Sequence, residues 1–164
     1  MSEQNTQFID YINDNFTGDA QQNALNFVQY LTSIGMTIEG SINDCKATYK
    51  GVTVCYFYFG SSSHPAGYPE PWTVWMPDEF AKEIDSFPID EQMKKIAWAN
   101  AHNCDECCPR HNTDAGCSRQ RIIFNREYDG LCQTPIGFTD PNAEAVECVK
   151  KLMEMRKCAI DSGE

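Results

Sequence analysis

Cys104, Cys107, Cys117 and Cys132 are separated by two, nine and fourteen residues, a ligand spacing that suits a tetrahedral zinc ion. Thiolates two residues apart reach one ion at about 2.3 Å without backbone strain, and the longer gaps bring the second pair from elsewhere in the fold. Cys108, His102 and His111 are alternates for the fourth position. The stretch from Cys104 to Cys117 is polar and lacks large aliphatic residues, so hydrophobic burial cannot order it alone, and a dication can. Reduced thiols in a loop, an iron–sulfur cluster or a disulfide are the competing readings of the same residues. An all-cysteine shell is closed to water and substrate, which makes the expected Zn2+ structural and not a Lewis acid. A redox C-x-x-C is disfavoured, because the helix expected just before Cys104 would point its negative dipole end at the thiolates.

Other residues offer weaker chemistry. Tyr56 and Tyr58 in one strand, Trp72 and Trp75 in another, and Trp98 on a helix are candidate walls of a ligand pocket, being apolar bodies with polar tips. Trp72 and Trp75 fall on opposite faces of their strand, so one face packs in the core and the other needs a helix, a ligand or a partner to cover it. His64, with Ser61, Ser62, Ser63 and Glu70 nearby, resembles an acid–base set only superficially, since no nucleophile motif accompanies it. Cys148 and Cys158 are ten residues apart on one helix, about 280° around its axis, and do not face together.

These residues must be positioned by helices and strands that the sequence marks out. Phe8, Ile9, Tyr11, Ile12 and Phe16 recur at helical spacing. Asp19 is placed to cap a second helix over 20–32, with Gly35 just beyond its end. From Met36 the period changes to two, giving strands at 36–38, 45–49, 52–59 and 71–76 in an antiparallel meander. A Lys50-Gly51 turn sets Tyr49 against Val52 and Lys46 against Cys55, which sends Cys45 and Cys55 to opposite faces. Residues 61–71 read as a surface loop and 78–86 as a short helix. A helix capped by Asp90 places Met93, Ile96, Ala97 and Ala101 on one face and runs into Cys104. Short strands follow at 121–124 and 133–138, the latter an edge because of Pro135. Asp140-Pro141 opens a final helix whose buried side is Val146, Val149, Leu152, Met153 and Ile160.

The 164 residues, 41% hydrophobic, are enough for one domain, organised as helices at 1–35, strands at 36–76, helices at 78–103, a cysteine loop at 104–132 and a helix at 140–160. The net charge of −11 repels phosphate backbones, which argues against nucleic acid as a partner. No apolar run is long enough to cross a bilayer, and the polar opening with nine cysteines, an odd set, points to a cytoplasmic protein.

The residues from Gln92 to Ile160 also carry a likeness. Trp98, the Cys104/Cys107 pair, Cys117-Ser118, Ile123-Phe124, Cys132, Phe138-Thr139-Asp140-Pro141 and Glu147-Cys148-Val149-Lys150-Lys151-Leu152 resemble an uncharacterised bacterial family of small cysteine-motif proteins with no assigned activity. The resemblance covers under half of the chain and implies that Cys104, Cys107, Cys117 and Cys132 are metal ligands. The sequence departs from that pattern at Cys108, in the longer insertion through His111 and Asp114, and at Ser118-Arg119-Gln120.

The expected fold is α+β, an antiparallel sheet of about four to six strands covered by helices, with a cysteine-rich zinc-binding loop. The expected function is a ligand- or protein-binding, sensing domain, non-enzymatic, whose partner is a small molecule or a protein. A metal- or thiol-dependent enzyme and a protein-association module are the alternatives.

Overall fold

The computed structural model describes residues 3–60, 71–77, 79, 87–103 and 119–163. Among them are four helices, α1 (Glu3–Asn15), α2 (Gly18–Ser33), α3 (Glu91–Ala99) and α4 (Ala143–Ser162). Seven strands accompany them: β1 (Thr37–Ser41), β2 (Asp44–Tyr49), β3 (Val52–Phe59), β4 (Trp72–Met76), β5 (Ala101–Asn103), β6 (Arg119–Ile123) and β7 (Arg126–Thr139). The strands form one sheet in the order β1-β2-β3-β4-β7-β5, with β6 also on β7, and every pairing is antiparallel. The protein is therefore α+β, with more strands than expected because β5 is only three residues long and lacks an alternating apolar pattern. No helix among the described residues is long and apolar enough to cross a membrane.

One sheet face carries the core. Phe57, Phe59, Trp72, Val74, Met76, Ile136 and Phe138 point toward α1, α2 and α4, which answer with Phe8, Ile12, Phe27, Leu31, Val149 and Leu152. Phe57 is the hub, with its ring centroid 5.9 Å from Phe8, 5.5 Å from Phe27 and 5.6 Å from Phe59. Each such ring removed from water contributes roughly 1.5–3 kcal/mol, and the tilted and edge-on geometries suit aromatic quadrupoles.

Lys50 and Gly51 make the β2–β3 turn with φ of 51° and 79°, the left-handed pair that a two-residue hairpin demands. Tyr49 then faces Val52 as expected, but Thr48 pairs with Thr53 and Ala47 with Cys55, leaving Val54 as an extra residue. That bulge reverses the alternation beyond it. Cys45, Ala47, Cys55 and Phe57 consequently share the core face, which corrects the expected placement of the two cysteines on opposite sides. They are thiols, not a disulfide.

Three further expectations are corrected. Thr17 and not Asp19 is the N-cap of α2; Asp19 sits in the first turn, where its charge opposes the helix dipole's positive end. Asn142 caps α4, accepting from the Ala145 amide at 2.9 Å, and Asp140 lies before it with φ of 42°. β7 is a long interior strand, not a short edge. Pro135 is tolerated there because β5 pairs Ala101 with Ile136 and Asn103 with Leu131, so Cys132 to Pro135 bulge away from the β5 ladder. Asp90 does cap α3, accepting from Met93 N at 2.9 Å. The expected 78–86 helix lies outside the described residues except Glu79, and the 61–71 loop outside them except Pro71.

Candidate metal centre and aromatic sheet face

Leu131 has two ladder partners, Asn103 on β5 and Arg119 on β6. A residue paired twice has one strand on each side, so the backbone at 103 and at 119 is separated by two strand spacings, about 10 Å. The chain between them holds Cys104, Cys107, Cys108, His111 and Cys117, all outside the described residues. Cys132 follows Leu131 directly. It is partly buried, and the Thr134 hydroxyl approaches its sulfur at 3.7 Å. Among the described residues no group of three or more His, Cys, Asp or Glu side chains is placed to hold a metal.

Cys104 follows β5, not a helix. α3 ends at Ala99, capped by Asn100. The expected helix does not run into Cys104, so its dipole gives no ground for disfavouring a redox pair there.

Three of the remaining cysteines belong to the core. Burial pushes the Cys45 and Cys148 thiols up to about 12 and the Cys55 thiol higher still. Such thiols stay protonated at neutral pH, which makes them poor nucleophiles there. Cys45 donates to the Ser41 carbonyl, and Cys148 to the Met93 carbonyl at 3.5 Å. Cys158 is exposed on α4.

The hairpin of β6 and β7 is held by α3. Trp98 Nε1 donates to the Ile123 carbonyl at 2.7 Å, and the Arg126 guanidinium lies 5.8 Å from the Trp98 ring and 5.1 Å from that of Tyr128. Its turn places Phe124 and Asn125 at φ of 49° and 62°. A bulky residue at positive φ is costly, and burial of Phe124 to 3% exposure offsets that cost.

The five aromatic residues expected to line one pocket occupy three environments. Trp72 is in the core, its ring 5.4 Å from Phe27 and stacked on Phe59 at 6.2 Å. Trp98 serves the hairpin. Tyr56, Tyr58 and Trp75 share the opposite sheet face, where register aligns Glu39, Lys46, Tyr56, Trp75 and Gly137 in one cross-strand row. Lys46 and Glu39 close one end of that row with an ion pair at 3.1 Å. Burial, then the nearby Asp44 carboxylate, raises the Tyr58 phenol above its usual value, so it is a donor and not a phenolate at neutral pH.

At the other end of the row Trp75, His102 and Gly137 form a compact unit. A Cβ on Gly137 would overlap the six-membered ring of Trp75, so only glycine lets the indole lie against the strand. Trp75 Nε1 donates to Thr73 Oγ1 at 3.1 Å, and its ring is 4.7 Å from the His102 imidazole at an interplanar angle of 52°. The Gly137 amide donates to the Asn100 carbonyl at 2.9 Å, while the Gly137 carbonyl is 2.9 Å from His102 Nε2. Sequence reasoning missed Thr73 and Gly137. A glycine inside an apolar strand marks a close approach and was the available signal for the second.

Comparison with known proteins finds no matching family model, no similar curated protein and no similar solved structure.

Proposed function

We propose that the protein is a non-enzymatic ligand- or protein-binding, sensing module whose cysteine-rich corner is braced by a structural Zn2+. Cys104, Cys107, Cys117 and Cys132 are the donors, with Cys108, His102 and His111 as alternatives for the fourth position. The observation that carries this reading is the double pairing of Leu131: both ends of the 104–118 stretch leave the sheet beside the residue preceding Cys132. Covalent adjacency alone keeps Cys104 one residue, and Cys117 two residues, from those anchors. Four thiolates gathered without a cation would repel, and a dication offsets that repulsion while replacing the apolar packing the stretch lacks. The Tyr56, Tyr58 and Trp75 face is the proposed binding surface, facing a small molecule or protein partner. The half-buried Tyr56 and Tyr58 supply phenol groups for orientation, and Trp75, buried with its indole N–H bonded to Thr73, backs them as an apolar floor.

Thiol-dependent chemistry is the second reading, favoured by the position of Cys104 after a strand end. Metal analysis with a thiol titration separates the two. The structural reading expects one zinc per chain and, with four of the nine thiols bound to it and Cys45, Cys55 and Cys148 buried, about two reactive thiols in the native protein. Metal-free native protein with about six reactive thiols defeats it. Cys107→Ser is expected to loosen the β5–β7 corner, seen as faster amide exchange there; unchanged exchange with lost turnover on a thiol substrate supports the enzyme.

A further inference from the structure

We propose that a cleft where α2, α3 and α4 meet binds a free α-amino acid with an apolar side chain, taking its carboxylate at Lys150 and Lys151 and its ammonium at Glu147. The cleft lies on the helical side of the sheet, opposite the Tyr56 and Tyr58 face, and rests neither on that surface nor on the zinc reading.

Helical spacing builds it. Glu147, Lys150, Lys151 and Glu154 recur at i, i+3, i+4 and i+7 and so share one face of α4. Tyr30 of α2 and Met93 of α3 complete the lining, around a volume of about 260 Å3. That is below the roughly 300–1,000 Å3 of sites for drug-sized ligands, so the occupant is small.

The polar groups are held in place before any ligand arrives. The Lys150 side chain is only 14% exposed, and its ammonium donates to Glu147 Oε1 at 2.6 Å and to Asn26 Oδ1 at 2.7 Å while lying 5.3 Å from the centre of the Tyr30 ring. The Tyr30 hydroxyl lies 3.0 Å from Glu154 Oε1 and 3.3 Å from the Lys150 carbonyl, and Lys151 reaches Glu154 Oε2 at 3.3 Å. Burial, and then the Glu154 hydrogen bond, push the Tyr30 phenol up, so it stays a proton donor. A group shifted by burial and by a specific charged partner inside a cleft is the pattern of a functional site.

The unspent hydrogen bonds select the ligand. An ammonium carries three donors and a carboxylate two acceptor oxygens. Lys150 spends two donors and Lys151 one, while Glu147 spends one oxygen. Donors of positive charge therefore remain beside an acceptor of negative charge, with two side chains of each sign around the cleft. A simple anion or cation is repelled by one pair as it is attracted by the other, whereas a zwitterion engages both. Met93 gives the apolar body of such a ligand a surface to cover. Because α2 already holds Lys150 through Asn26, that side chain loses less freedom on binding.

The test adds L-leucine to the full chain labelled with carbon-13 at the methionine methyls, the Met93 signal being assigned with Met93→Leu. The expected result is a saturable shift of the Met93 methyl while the core residues Met76 and Met153 stay in place. Isocaproate, which lacks the ammonium, and isoamylamine, which lacks the carboxylate, should bind at least about 10-fold more weakly, the cost of one charged hydrogen bond. Lys151→Gln should weaken leucine by about 10-fold as well. Lys151 is 42% exposed, so the variant keeps the fold, and an unchanged far-ultraviolet signal verifies this. Absence of a saturable shift at Met93, equal binding of either analogue, or undiminished binding by Lys151→Gln overturns the inference, and each of these outcomes leaves the zinc reading and the Tyr56 face standing.

Discussion

The half of the sheet built from β1 to β4 and the corner built from β5, β6 and β7 are stabilised by different physics. The first has hairpins or direct ladders, a face of fused aromatic packing and three helices laid over it; its cysteines are small core residues. The second pairs a three-residue strand and a five-residue strand with a long bulged one, and closes over side-chain hydrogen bonds from Trp98 and His102. Apolar area suffices for one region. The other adds to its buried Ile123, Phe124 and Leu131 a few directional bonds and, in the proposed reading, a metal. Cysteine follows the same division: the thiol is neutralised by burial at Cys45, Cys55 and Cys148, and in the proposed reading it is used where the sequence is polar.

Breaking the first region should have the largest effect. Phe57→Ala removes the ring that touches Phe8, Phe27 and Phe59 and is expected to cost about 3–5 kcal/mol. Chemical denaturation with metal analysis in parallel checks it; a lower midpoint with metal content unchanged below the transition supports independent sources of stability, and coupled loss of both argues for one cooperative unit.

A smaller effect sharpens the comparison from the other side. Gly137→Ala drives a methyl into the Trp75 ring and disturbs the carbonyl that holds His102, with an expected cost of about 1–3 kcal/mol. Trp75 emission should shift, while the far-ultraviolet signal of the helices is retained. Unaltered emission would mean that the strand yields and the indole does not.

Much of the first region was legible in the sequence, and much of the second was not. The Val52–Phe59 strand and the Lys50-Gly51 turn follow from alternation and turn chemistry, and the stripe of Val146, Val149, Leu152 and Met153 from helical period. The bulge at Val54 leaves no such trace. Tyr56 to Phe59 are aromatic on both faces, so the pattern has no parity to betray a slipped register. β5 escaped notice because Ala-His-Asn has neither length nor alternation, and Pro135 argued for an edge because local rules cannot see a bulge opposite a broken ladder. For the candidate site, the cysteine spacing was visible and the anchoring at Leu131 was not, since pairing across three strands is a property of the assembled sheet. The aromatic residues were legible as a group but not as three separate environments.

The smallest expected effect concerns the ion pairs at the rim of the first region. Asp161 is held below its usual value by its 2.6 Å hydrogen bond and ion pair with Lys50, and Glu39 by the Thr48 hydroxyl and then by Lys46. A depressed folded-state value means the contribution is present at neutral pH and lost as pH falls through the carboxylate range. Both groups are solvent-exposed, so screening keeps the effect slight. Thermal melts of Asp161→Asn should match the parent near pH 3 and fall slightly below it near pH 7; a larger gap at low pH reverses the assignment.

The flanking of Leu131 by Asn103 and Arg119 has an evolutionary consequence. Because the anchor points are fixed by the sheet at a separation of about two strands, the stretch between them can grow or shrink at an entropic cost that rises only with the logarithm of its length. Peptides of different length installed between Asn103 and Arg119 are therefore expected to leave the rest of the sheet in place, provided the donors of the proposed shell are kept.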